Sequence, residues 1–115
     1  MIDRLMDEAF RLFEEGEMRI GSEISESIGL FQHAVCKLLN IYLVIKGTEG
    51  KGELRELFQE CKRVNPDFEI IQSEIEYLLE VSPEEADGEE LTDKANEIWD
   101  FIQGLLIENE LEDIE

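Results

Sequence analysis

Apolar residues recur along the first half of the chain at intervals of three and four positions, the period of an amphipathic α-helix. The first stripe predicts a helix that ends near Gly16, with apolar positions at Ile2, Leu5, Met6, Ala9, Phe10 and Phe13. The pattern then resumes and predicts a second helix to about Ile45, stopped by Gly47, with apolar positions at Ile20, Ile24, Ile28, Phe31, Val35, Leu38 and Tyr42. The second half of this helix is apolar around most of its circumference. We therefore expect it at the centre of a bundle, or at a bundle and a subunit interface.

Glycine, proline and capping residues divide the second half of the chain. Residues 48–52 hold two glycines and predict a loop, after which a short third helix carries Leu54, Leu57, Phe58 and Cys61. Asn65 can cap a fourth helix that has Pro66 at its first position, unless the third and fourth helices form one kinked element. Residues 82–88 predict an acidic loop with at most one helical turn. The final helix carries Leu91, Ala95, Ile98, Ile102, Leu105 and Leu106.

The sequence has no alternating strand pattern and no repeat of solenoid length. We therefore predict an all-α protein, an antiparallel up-and-down bundle of four to five helices. At 115 residues the chain corresponds to a single domain over residues 1–115. The acidic tail, about 108–115, is expected to fray.

Composition limits the classes of partner. The 30 Asp and Glu residues against 10 Lys and Arg give a formal charge of −20, which opposes binding to nucleic acid or an anionic membrane and suits a basic partner. The N-terminus carries two acids within seven residues, unlike a secretory signal, and the apolar segment 30–45 is shorter than a membrane span. Cys36 and Cys61 lie in helical patterns, which favours reduced core thiols in a cytoplasmic protein over a single disulfide.

Carboxylates spaced three apart are the first candidates for chemistry. All-α nucleotide pyrophosphatases hold Mg²⁺ with such pairs, because both carboxylates then share one helix face. The pairs here are Glu23/Glu26, Glu53/Glu56, Glu90/Asp93 and Glu97/Asp100. A chain this acidic produces about as many by chance, so solvated helix faces are the main interpretation and a Mg²⁺-dependent pyrophosphatase an alternative. With one histidine and no Cys pair at ligand spacing, the sequence indicates no zinc site, and we predict no catalytic residue, no metal and no cofactor.

One polar stripe crosses the apolar second helix. His33, Lys37 and Asn40 are spaced i, i+4 and i+7, so they lie on one helix face. They form the candidate ligand or partner surface, lining a groove or a dimer seam. The other interpretation is that this face simply meets water.

At this helix the sequence resembles the HEPN domains (higher eukaryotes and prokaryotes nucleotide-binding). The segment from Phe31 to Leu39, followed by Tyr42-Leu43 and Gly47, is similar to the family's Gln-x-Ala-x-x-x-x-Leu helix closed by glycine. The Glu8-Ala9 helix, the Leu54-Arg55-Glu56-Leu57 segment and a final helix beginning near Ala95 follow the family's order. The resemblance implies a small helical bundle and a tendency to pair as homodimers.

Family members that cleave RNA carry an Arg, then four to six intervening residues, and then a His. For His33 the matching positions hold Glu26, Ser27 and Ile28, so the resemblance does not carry the nuclease to this chain. Other members accompany nucleotidyltransferases in toxin–antitoxin modules. We therefore expect a non-catalytic, homodimeric protein that acts through protein contacts, with a basic protein or a nucleotidyltransferase as partner. The alternative is a nucleotide- or RNA-binding domain that uses His33, Lys37 and Asn40.

Overall fold

The computed structural model describes the backbone of residues 2–114 and the side chains of residues 4–107. The chain is 81% helical, with five helices and no strand in that backbone, which confirms the all-α helical bundle. The helices are α1 (Ile2–Arg19), α2 (Ile24–Ile45), α3 (Leu54–Val64), α4 (Gln72–Glu80) and α5 (Gly88–Ile114). A 3₁₀ segment, Pro66–Ile71, precedes α4.

The first two helices form an antiparallel hairpin. The rings of Phe13 and Phe31 lie 5.1 Å apart, centroid to centroid, and Lys37 contacts Glu8 further along the pair. Residue numbers therefore decrease along α1 in the direction in which they increase along α2, as in an antiparallel pair. Helix α1 passes through Gly16 and ends at Arg19, so the predicted end near Gly16 is wrong. The glycine is needed for a different reason. A Cβ at Gly16 would lie 2.8 Å from the Phe31 ring, so a residue without a side chain lets the two helices approach closely.

Helix α2 is the centre of the bundle, as predicted, and packs against α1, α3, α4 and α5. Its ten buried residues include Leu38, which is 0% exposed. By length and composition α2 could cross a membrane, but half of its apolar window is buried by the other helices, as in the core helix of a bundle. Packing on several sides therefore accounts for its apolar composition.

The connection after α2 runs back alongside it. Gly47 and Gly52 have φ of 79° and 95°, a region that favours glycine, and Gly50 lies against Asn40. The Cys61 thiol then faces the carbonyl of Leu39, and α3 ends where the Asn65 amide donates to the Tyr42 hydroxyl at 3.1 Å. Helix α3 therefore runs in the same general direction as α2, a departure from strict up-and-down alternation.

Capping side chains place the last two helices. The Asn65 side chain accepts from the amide of Asp67 as predicted, but the chain forms the 3₁₀ segment before α4, so α3 and α4 are separate elements. The Asp87 carboxylate accepts from the amide of Glu89 at 3.1 Å, which starts α5 at Gly88, earlier than the position near Ala95 predicted from the resemblance. The acidic tail predicted from residue 108 has side chains outside the described range.

Candidate functional site

The predicted residues His33, Lys37 and Asn40 lie on the most exposed side of α2. His33 is exposed, and Lys37 and Asn40 are half-buried. We call this side the outer arc of α2, defined by Glu26, Gly29, His33, Lys37, Asn40 and Val44. The arc faces solvent and is flanked by a groove on each side.

The first groove follows the seam between α1 and the outer arc. It consists of three depressions of about 300, 200 and 150 Å³. The first two share Glu15 and the last two share Lys37, so together they form one groove, here called the α1–α2 groove. Its apolar lining is Leu5, Leu12, Leu30, Ile41 and Val44.

An ion pair crosses this groove. The Lys37 ammonium lies 3.3 Å from a Glu8 carboxylate oxygen, and the two side chains are 30% and 39% exposed. Lys37 and His33 line the middle depression, whereas Lys37 and Asn40 line the last one. The three predicted residues therefore share one face but do not converge on one enclosed pocket.

The second groove lies on the opposite flank of the outer arc and holds about 520 Å³. Its lining comes from α2, from the first turn of α3 and from Leu79 of α4: Gly29, Gln32, His33, Cys36, Glu53, Leu54, Arg55, Glu56 and Leu79. The Gln32 amide is held by donation to the Leu78 carbonyl at 2.6 Å. The sequence analysis missed Gln32, Glu53, Arg55 and Glu56 as groove residues, since only the fold of the 46–53 connection brings α3 beside α2.

The thiol in this groove is not activated. Burial, with a smaller contribution from the Glu53 carboxylate, raises the pKa of Cys36 to about 11. Burial also raises the pKa of Cys61 to about 12, with Glu60 adding to the effect. Nucleophilic cysteines need a lowered pKa, so neither thiol is poised as a nucleophile. Cys61 is buried in the core as predicted, whereas Cys36 is only partly buried and lines the groove.

The four carboxylate pairs lie on the outside of the bundle. Every one of their eight residues is exposed, on α2, α3 and α5 or at their N-terminal ends. Among the described residues, no three His, Cys, Asp or Glu side chains come together in a way that could hold a metal ion. The geometry therefore gives the pyrophosphatase alternative no inward-facing carboxylate cluster in that part of the chain.

Charge is unevenly distributed over the fold. Residues 66–107 carry thirteen acids and a single base, Lys94, and all these acids except Glu74 are exposed. Residues 1–65 carry twelve acids and nine bases, and Arg11, Arg19, Lys37 and Arg55 line the grooves beside the outer arc. Residues 1–65 are thus nearly balanced in charge, while residues 66–107, which include α4 and most of α5, are strongly acidic.

Comparison with known proteins finds no matching family model, no matching curated protein and no matching solved structure. The resemblance to HEPN domains therefore stays a prediction from the sequence.

Proposed function

We propose that this chain is a non-catalytic, HEPN-like helical-bundle protein that acts through protein–protein contacts. It forms a homodimer. It also binds a basic protein or a nucleotidyltransferase, as one component of a module of the toxin–antitoxin type. The observation that carries the proposal is the outer arc of α2, an open strip with a groove on each side and balanced charge on an otherwise acidic molecule. Open grooves between helices are typical of surfaces that bind a macromolecule, whereas an active site usually lies in an enclosed pocket.

The arrangement of polar groups supports binding over catalysis. His33 faces solvent, Lys37 is paired with Glu8, and the Cys36 thiol has a raised pKa of about 11. These groups do not form a nucleophile with an adjacent base within hydrogen-bonding reach, which is the arrangement that covalent catalysis uses.

The acidic face of α4 and α5 supports a basic partner. Opposite charge on two surfaces speeds their association and selects against acidic competitors. Two free thiols in helical packing also fit the reducing cytoplasm, where we place the protein.

Two measurements test the proposal. Light scattering on the purified chain at micromolar concentration is expected to give a dimer mass. Co-expression with a nucleotidyltransferase from the same genome is expected to yield a complex of fixed stoichiometry, which weakens as salt rises because the charges are screened. A strictly monomeric chain that leaves the nucleotidyltransferase unbound would refute the proposal.

A matched pair of charge reversals identifies the face that holds the basic partner. Glu97→Lys lies on the acidic face of α5, and Glu14→Lys lies on α1; both residues are exposed. We expect Glu97→Lys to weaken the complex and Glu14→Lys to leave it nearly unchanged. Equal effects would indicate that only net charge matters.

A second candidate function is the binding of a nucleotide or RNA. It is favoured by Arg11, His33 and Lys37, which line one depression of the α1–α2 groove, although Glu8 and Glu15 line it too. Titration calorimetry with nucleoside triphosphates and with a short single-stranded RNA tests it. Absence of heat with every ligand would remove this candidate.

A further inference from the structure

Gly29 is a glycine that the fold itself does not require. It lies within α2, and a Cβ added to it would meet nothing within 4 Å. Glycine inside a helix costs about 1 kcal/mol relative to alanine. No turn and no packing among the described residues needs it, which is equally true of Gly104 in α5, in contrast to Gly16 against Phe31. A glycine at such a position suits the close approach of another backbone from outside.

Gly29 lies between the two grooves. It lines both the 300 Å³ depression of the α1–α2 groove and the 520 Å³ groove beside α3. An element that crosses α2 at Gly29 could therefore place side chains into both grooves at once.

Charge along this face changes sign from one end to the other. At the N-terminal end of α2, Glu23 and Glu26 lie near the single base Arg19, at 4.0 and 3.5 Å. At the other end Arg4, whose side chain is 86% exposed, and Lys37 share the single acid Glu8. One end is therefore acidic in excess and the other basic in excess.

We propose that two copies of the chain pair through the outer arc of α2 and the adjoining side of α1, with their α2 helices antiparallel about a twofold axis near Gly29 and His33. The proposal rests on the self-pairing proposed above and identifies the surface. A twofold interface brings the same patch of both copies together, so the antiparallel arrangement sets the acidic end of each copy against the basic end of the other. Pairing through α4 and α5 would instead place acid against acid.

The overlap of the two faces sets the size of the interface. An antiparallel pair with its axis near Gly29 and His33 overlaps α2 over about residues 24–38, which corresponds to about 22 Å at 1.5 Å per residue. Two adjacent helices about 10 Å wide each then give on the order of 450 Å² per copy, the size of a weak, concentration-dependent pair.

The test compares two glycine variants by light scattering over a dilution series. Gly29→Leu places a bulky side chain on the proposed interface, and Gly104→Leu is the control, since a Cβ at that glycine of α5 also meets nothing within 4 Å. We expect Gly29→Leu to raise the dimer dissociation constant at least tenfold and Gly104→Leu to leave it unchanged. At dilutions where the wild type is monomeric, neither variant should melt below it, because leucine is the better helix former.

Charge reversal provides an independent test. Arg4→Glu and Glu26→Arg should each weaken the dimer severalfold, and the double variant should recover most of the loss because the opposite ends meet again. Absence of recovery would overturn the antiparallel arrangement.

The outcomes separate this inference from the proposed function. A monomeric wild type would refute self-pairing itself. A wild-type dimer that Gly29→Leu does not weaken would leave self-pairing intact and overturn this surface. A dimer disrupted by Gly104→Leu alone would place the interface on α5 and also overturn the inference.

Discussion

Ser27 donates a hydrogen bond from its hydroxyl to the backbone carbonyl of Gly16 at 2.7 Å, across the seam between α1 and α2. Ser27 is 0% exposed and is the one polar residue in the buried interior of the described part of the chain. Gly16 lies in the last turn of α1, where helix carbonyls lack intrahelical partners. The serine, in the first turn of α2, therefore caps the C-terminal end of α1 next to the turn that joins the two helices.

Removal of this hydroxyl should destabilise the fold. Ser27→Ala leaves a buried carbonyl without its partner, which typically costs about 1–3 kcal/mol. Urea denaturation should show this loss in the free energy of unfolding. The control is Ser25→Ala on the exposed side of the same helix, which should change stability by less than about 0.5 kcal/mol. Equal values for the two variants would contradict the capping role.

Gly16 should not tolerate even a methyl group. Alanine is the better helix former, but its Cβ would lie 2.8 Å from the Phe31 ring, and overpacking of this kind costs about 1–3 kcal/mol. Thermal melting should place Gly16→Ala below the wild type. Gly104→Ala, with open space around its Cβ, should gain about 0.5–1 kcal/mol. A gain at both positions would show that α1 and α2 are further apart than described.

Leu38 should be among the most costly positions to truncate. It is 0% exposed at the centre of α2, and Leu→Ala changes at such sites cost about 2–5 kcal/mol. Ile70→Ala is the control, because Ile70 is 71% exposed and lies away from the outer arc. A loss well under 1 kcal/mol for Leu38→Ala in urea denaturation would mean that α2 is not central.

The Lys37–Glu8 pair should contribute little to stability. Both side chains are partly exposed, and pairs of this kind are worth about 1 kcal/mol or less. A double-mutant cycle with Lys37→Ala and Glu8→Ala, measured by chemical denaturation at dilutions where the chain is monomeric, should give a coupling energy within that limit. A much larger coupling would indicate that the pair is buried by something beyond this chain.

Both thiols should react slowly in the folded protein. With a pKa of about 11, Cys36 is ionised to only about one part in a thousand at pH 8, and Cys61, at about 12, still less. A colorimetric thiol reagent should label the native chain far more slowly than the urea-unfolded chain. Because folding raises both pKa values, the folded state holds the thiol protons more tightly than the unfolded state. The resulting contribution to the free energy of unfolding is present below pH 9 and is lost as the pH rises toward 11 and 12. Equal labelling rates would refute the burial of the thiols.

The sequence predicted the elements that depend on apolar period and capping. The stripe of α2, the loop after Gly47 and the Asn65 cap are confirmed, because each depends on residues close together in the chain. The course of α1 beyond Gly16 was not predictable, since the glycine is explained only by Phe31 fifteen positions later. The same holds for the start of α5, which depends on a cap at Asp87 within an acidic segment.

The candidate site was predicted in part. Periodicity was enough to place His33, Lys37 and Asn40 on one face of α2. It could not show that Lys37 meets Glu8, or that Arg55 and Glu53 come beside His33, because both depend on the packing of helices from distant parts of the chain. The role of Gly29 was also hidden, since an unexplained glycine is recognisable only once its surroundings are known.

Helix α2 is covered in part by α5, which leaves the ribosome after it during synthesis. Until then the nascent chain carries a 22-residue segment with the length and composition of a membrane span, and part of its apolar surface is still bare. A chain cut short before Gly88 would keep that surface permanently. Synthesis of α5 therefore completes the cover that α1, α3 and α4 begin over a segment that membrane-insertion machinery could otherwise recognise.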